Sequence, residues 1–297
     1  MLNEYAENNE NSNLLPGTAE LNEKNAQNKF YDTLFPHMSL DRIIVWISFF
    51  QILIYILSCL LSENLTVPNV DVLMFLGATY GPSIKQGELW RLLFPIFLHA
   101  NWWHLIINII CILNLGLVIE TKYKKKRFLL IYFLSGFIGN TLTTICNPCQ
   151  LAVGASTSGF GLIGCSIMEI FLAWKNLSKK AQNYYMFNIS IFLVFFLFVS
   201  FSPTVDFFGH IGGFVCGAFL ACHYNKFLGY DMYTQKREKN SEKNSGKKIE
   251  KKKIAKKIKL LIIFQECLHY GFASICALII FYLPLRLFVL NMPCEFV

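Results

Sequence analysis

The sequence predicts an all-α protein that crosses a membrane several times, and three observations carry that prediction. The chain of 297 residues is 54% hydrophobic and only 15% charged, too apolar and too charge-poor for a soluble domain of its length. Its apolar residues gather into stretches near the ~20 residues a helix needs to span a bilayer. Its basic residues fall in alternate loops, as the positive-inside rule demands of a polytopic chain.

In chain order, residues 1–39 are rich in Asn and Glu and hold no apolar core, so they read as a disordered cytoplasmic arm and not as a cleavable signal. Seven apolar stretches follow: Ile43–Leu61, Trp102–Thr121, Phe128–Ile145, Ala152–Trp174, Tyr184–Phe201, Phe207–Cys222 and one inside Leu260–Leu290. The first six lie within 40–225. A basic linker occupies 226–259, and 260–297 holds the seventh helix with a short tail. Between the first two helices, the loop Ser62–Leu89 carries a glycosylation sequon at Asn64–Leu65–Thr66 and the run "VDVLMFLGATY". That run is too short to span and reads as a half-inserted or interfacial segment.

Charge sets the orientation. With the N-terminal arm cytoplasmic, loops 122–127, 175–183 and 223–259 share its side, and together with Lys24, Lys29 and Arg42 they make up 24 of the 27 basic residues, leaving Lys85, Arg91 and Arg286 opposite. The net charge of +8 is thus an orientation signal that calls for no nucleic-acid partner, although the Lys-rich segment 236–259 also suits anionic membrane lipids. The chain reads as a multi-pass integral membrane protein of the secretory pathway or plasma membrane. Most of the ten cysteines are scattered in the apolar stretches as small hydrophobes. Cys146 and Cys149 form a C-x-x-C in a loop, open to reading as plain loop cysteines, an oxidised or redox pair, or half a metal site.

Polar residues gather at the non-cytoplasmic helix ends. His99 and His104 precede and open the second helix, Asn108 follows His104 at i+4 on the same face, Ser156 opens the fourth helix, and His210 lies in the first turn of the sixth. Ionisable groups at membrane depth are functional by default. Serine becomes a nucleophile when an imidazole takes its proton. A tetrahedral oxyanion then needs donors, which His104, Asn108 and the backbone N–H groups opening the fourth helix can supply. Gly209, Gly213 and Gly217 on the sixth helix, with Gly161 and Gly164 on the fourth, permit the close approach that brings Ser156 to His210.

At these residues the sequence resembles the rhomboid intramembrane serine proteases, over roughly Ile43 to Tyr224. The likeness rests on Trp90–Arg91, "HANWWHLIIN" at His99–Asn108, "GLVIE" at Gly116–Glu120, "GASTSGFGL" at Gly154–Leu162 and "HIGGFVCG" at His210–Gly217. It implies a six-helix core plus one C-terminal helix, the 6+1 arrangement of eukaryotic secretase-type members. It also implies Ser156 as nucleophile, His210 as base, and His104 with Asn108 as oxyanion stabilisers, with Gly154, Phe160 and His99 in support. Phe160 stands where the family usually has Tyr, and Thr157 where it usually has Gly. Ser158–Gly159 would restore the usual Ser-Gly pair, but Ser156 fits the spacing to Gly154, Phe160 and Leu162. Asp206 need not complete a triad and reads as loop polarity.

The function so implied is an endopeptidase with no cofactor that cleaves single-pass transmembrane substrates in or near the membrane. The alternative is a weak or inactive rhomboid-like protein that binds transmembrane clients. A transporter is disfavoured by the lack of paired midplane charges, with Glu169 the main ionisable residue left over inside a span.

Overall fold

The computed structural model describes residues 35, 38–62, 64, 66–174, 177–179, 182–183, 186, 190, 205–241 and 294, the side chains of 225–241 excepted. Residues 1–34 of the N-terminal arm, the expected fifth span Tyr184–Phe201 apart from Met186 and Ser190, residues 242–259 of the basic linker and the last span within Leu260–Leu290 lie outside the described residues. The rest is helical, with one isolated bridge, Thr79 to Ala152, among the described residues. The elements are α1 (Ile43–Leu61), α2 (Val70–Leu76), α3 (Gly81–Lys85), two 3₁₀ turns (Leu89–Leu92 and Phe94–Phe97), α4 (Trp102–Cys146), α5 (Ser156–Ala173) and α6 (Phe207–Ser241). Helices α1, α4, α5 and the Phe207–Tyr224 part of α6 are long and apolar enough to cross a membrane.

The distribution of polarity in α1 inverts that of a soluble protein. Ser48, Gln51 and Ser58 are buried, while Trp46, Phe49, Phe50 and Leu60 are exposed, Leu60 by 60%. Apolar side chains can face outward at no cost only where the surroundings are themselves apolar. The buried donors of α1 have partners: Gln51 Nε2 donates to the Ile96 carbonyl at 2.9 Å and lies 3.0 Å from the Tyr132 hydroxyl, and the Ser48 and Ser58 hydroxyls donate to the Ile44 and Ile54 carbonyls.

Helix α4 is two crossings. A straight helix of 45 residues would run about 68 Å, more than twice the ~30 Å hydrocarbon thickness. It breaks at Lys124, where φ is 67° and ψ 165°, and the chain reverses there. The ends of both legs meet the start of α5 and α6: a Cβ on Gly154 would strike His104 from the first leg, and Thr143 of the second leg bonds Asp206. The break, by contrast, lies at the far end of the bundle, where Lys122 pairs with Glu169 near the end of α5 at 2.9 Å and Arg127 stands over the Tyr224 ring. The expected loop 122–127 is therefore a one-residue reversal inside continuous helix, and Glu169 is half of an inter-helix ion pair.

At that far end Glu120 does more than sit in a motif. The N-terminus of α1 has no side-chain cap of its own, and the buried Glu120 carboxylate accepts from the backbone N–H groups of Ile43 (2.9 Å) and Ile44 (3.1 Å). A capped helix start satisfies donors that would otherwise be stranded.

Helices α5 and α6 meet backbone to backbone. A Cβ on Gly213 would fall on the Thr157 carbonyl, one on Gly217 on the Gly161 carbonyl, and one on Gly164 on the Phe214 carbonyl. Only hydrogens fit there, so small residues set the separation of the two helices. Helix α6 continues to Ser241, past the expected end of the span at Cys222 and into the expected linker; no proline interrupts residues 207–241.

The run "VDVLMFLGATY" folds as the short helix α2 and its exit. Asn69 caps it by accepting from the Val72 N–H, and Gly77 ends it at φ 104°. The buried guanidinium of Arg91 then gathers the loop, donating to the carbonyls of Met74 and Ala78 and pairing with Glu88. This arginine of the Trp-Arg pair organises the loop against the mouth of the bundle.

Candidate active site

Ser156 is the first residue of α5, and the turn before it is built for what surrounds it. Gly154 has φ 134°, a conformation that side-chain-bearing residues avoid. A Cβ there would stand 2.7 Å from His104 Cε1 and 2.8 Å from its Nε2, with Ser156 Oγ at 3.5 Å. Glycine at this position thus lets the His104 ring and the Ser156 hydroxyl flank one Cα. The turn is anchored by the Gly154 N–H, which donates to the Pro95 carbonyl at 2.9 Å.

Across from it, His210 sits buried in the first turn of α6, and its Nε2 lies 2.8 Å from Ser156 Oγ. That distance suits a hydroxyl donating to an unprotonated imidazole nitrogen. The Phe160 ring stacks on the imidazole with centroids 4.1 Å apart and planes 16° apart. One turn along α5 from Ser156, Phe160 fixes the ring plane, and a phenyl does so as a phenol would.

Ser158 occupies another environment. It is fully buried, facing the second leg of α4, where a Cβ on Gly136 would meet its Oγ. Thr157 also points inward, packing on Gly139, and its backbone has no positive φ. Threonine after the serine therefore requires no strained backbone, and its side chain points into the helix packing.

His104 begins α4 under an N-cap, its backbone N–H donating to Asn101 Oδ1 at 2.8 Å. Asn108, one turn on, donates from Nδ2 to the His104 carbonyl at 2.8 Å. One of its two amide hydrogens is thereby used within the helix, leaving one to point elsewhere. His99 is wholly buried with its ring edge-on to His104, centroids 5.3 Å apart. Burial, with the neighbouring His104 ring, lowers its pKa from 6.5 to about 3, so it is a neutral aromatic support at ordinary pH.

Several residues that hold this site carried no motif signal. Asn140 donates to the Leu92 carbonyl at 3.0 Å, and Gln51 to that of Ile96. Together they fasten the segment whose Pro95 carbonyl anchors Gly154. Asp206 is not loose polarity: its carboxylate accepts from Thr143 Oγ1 (2.6 and 2.7 Å) and from the Gly209 N–H (2.9 Å), capping α6. The signal that could have found it is an Asp immediately before a helix start. Cys149 is bonded to Cys294, 145 residues on, and not to Cys146. Cys294 therefore lies at the face that carries Ser156, and the Cys149 sulfur is a disulfide sulfur.

A helical membrane protein with a serine and a histidine in contact at the mouth of its helices belongs to a small set of protein classes. Residues 86–227 match the rhomboid domain, and the chain belongs to the rhomboid family, a family of intramembrane proteases. It is 47% identical over 195 residues to rhomboid-like protease 3 of Toxoplasma gondii, covering 66% of this chain and 74% of that one. Rhomboid-like protease 1 of the same organism is 39% identical over 203 residues, covering 67% and 69%. Rhomboid protease GluP of Bacillus subtilis (strain 168) is 34% identical over 172 residues, 58% of this chain and 32% of that protein.

Proposed function

We propose that the chain is an active intramembrane serine endopeptidase using a Ser156–His210 dyad, with single-pass transmembrane proteins as substrates. The observation that carries this reading is the 2.8 Å approach of His210 Nε2 to Ser156 Oγ beneath the stacked Phe160 ring. His210 takes the hydroxyl proton as Oγ attacks the scissile carbonyl, and the protonated imidazole then gives that proton to the departing amine. Water, deprotonated by the same imidazole, then attacks the acyl carbonyl, and the imidazolium returns that proton to Ser156 Oγ as the C–Oγ bond breaks and the acid product leaves. The oxyanion formed at each stage faces the His104 ring beside Gly154 and the unpaired N–H groups of the first turn of α5, whose dipole favours negative charge.

Substrate helices must unwind before attack, because helical peptide bonds are shielded by their own hydrogen bonds. Cleavage therefore falls near the face holding Ser156, where water reaches the site. The charge asymmetry of the loops makes that face the luminal or extracellular one. A disulfide at the same face agrees with an oxidising compartment. The test is co-expression with a single-pass substrate whose helix contains a Gly-rich segment near that face. Cleavage by the parent chain and its loss with Ser156→Ala is the expected result, and cleavage that survives Ser156→Ala overturns the proposal.

A further inference from the structure

Resting on the dyad just proposed, we infer that Asp206 and Thr143 are a positioning pair that sets His210 at its working distance from Ser156.

Three contacts converge immediately before the base. The Asp206 carboxylate accepts from the Gly209 N–H, the residue adjoining His210, at 2.9 Å. Both of its oxygens lie within 2.7 Å of the Thr143 hydroxyl on the second leg of α4. The backbone carbonyl of Asp206 accepts the His210 N–H itself at 3.1 Å. Gly209 is pressed into this corner: a Cβ there would strike the Asp206 carboxylate and, at 2.7 Å, the Thr143 oxygen. Thr143 is fully buried, so the carboxylate is pinned to a rigid leg and not to a loop.

The glycine contacts farther along, Gly213 on Thr157 and Gly217 on Gly161, fix how close α6 lies to α5. They do not fix how the first turn of α6 is rotated or whether it frays, and a helix start is where fraying occurs. His210 stands in that turn. A shift of its ring by about 1 Å is enough to cost on the order of 10² in rate. The capped carboxylate adds a polar constraint on that turn by joining it to Thr143 of α4, beside the close contact of Gly139 with the Gly209 carbonyl. Burial also raises the Asp206 pKa, against the lowering by Thr143 and Gly209, so the capping does not depend on the full charge, since an amide oxygen accepts the same two hydrogens.

The test uses the full chain in detergent or liposomes, with Asp206→Ala, Asp206→Asn, Thr143→Val and the double variant Asp206→Ala/Thr143→Val, beside Ser156→Ala as a blank. Thermal unfolding reports folding, and the rate of Ser156 labelling by a small fluorophosphonate reports the dyad without substrate binding. Asp206→Ala and Thr143→Val are expected to lower kcat and the labelling rate by about 10- to 100-fold with little change in KM. The double variant should be no worse than the more impaired single one, and Asp206→Asn should recover most of the rate. Labelling and kcat that stay at the parent level in folded Asp206→Ala overturn the inference. So does an Asp206→Asn variant as slow as Asp206→Ala, which would make the charge, and not the position, what His210 needs. Failure of the dyad itself reads differently: the parent chain would then label no faster than Ser156→Ala.

Discussion

Two serines two residues apart differ in what surrounds them, and that difference makes a prediction. Ser156 Oγ reaches His210, whereas Ser158 is sealed against Gly136. Ser156→Ala should reduce cleavage to background and Ser158→Ala should retain most of it, read by substrate cleavage in cells. His210→Ala should match Ser156→Ala, with the double variant no worse, because members of one catalytic unit are non-additive. Asn108 already spends one amide hydrogen on the His104 carbonyl, so Asn108→Ala should leave measurable activity, lost in kcat by about 10²–10³ if the second hydrogen meets the oxyanion. A rise in KM at constant kcat would make it a substrate contact. His99 predicts a pH effect on stability. Its folded pKa of about 3 lies below the unfolded 6.5, so the unfolded chain takes the proton first. The stability it supports is full above pH ~6.5 and is lost as pH falls toward 3, by about 1.4 kcal/mol per pH unit. His99→Phe should flatten the acid limb of unfolding midpoint against pH by that slope, and an unchanged limb would show that His99 is not the group responsible.

Among the elements, the α5–α6 seam and the start of α1 bear the clearest burdens. Ala at Gly217 places a methyl on the Gly161 carbonyl, whereas at Gly159 a Cβ meets only Ile112 Cγ2 at an ordinary 3.5 Å. Gly217→Ala should therefore destabilise by about 1–3 kcal/mol through forced separation. Gly159→Ala should be neutral or stabilising by about 0.5–1 kcal/mol through helix propensity. Denaturation in mixed micelles would compare them, and equal effects would refute the backbone seam. Glu120→Ala strands the buried N–H of Ile44 and the part-buried one of Ile43, an expected loss on the order of 1–3 kcal/mol read in the same assay.

At the scale of the whole molecule, the Cys149–Cys294 bond joins the loop before α5 to the end of the chain. With a protease site inserted in the basic linker, the two cleaved halves should migrate together on a non-reducing gel and separate after reduction. Cys294→Ser should separate them without reductant, while Cys146→Ser should not. Separation of the parent halves without reductant would refute the linkage. The bond also constrains topology, since an even number of crossings must lie between its ends. The four apolar stretches that the sequence predicts as spans between Ala152 and Leu290 would provide that number. Cysteine labelling on sealed vesicles should find loop 122–127 on one side and the Asn64 loop on the other.

The class of fold and the gathering of Ser156 and His210 at the helix mouths were legible in the sequence because both depend on local pattern. Apolar run lengths near a bilayer's thickness, lysines at alternate helix ends, and Ser, His and Gly at fixed spacings within single helices need no knowledge of neighbours. What the tertiary structure alone decided are relations between residues far apart in the chain: Glu120 as the cap of α1, Lys122 as the mate of Glu169, Thr143 beneath Asp206, and Cys294 in place of Cys146 as the partner of Cys149. Each of these is set by which faces two helices turn toward one another. A buried polar group takes whichever partner the packed bundle brings within about 3 Å, and sequence separation says nothing about that distance.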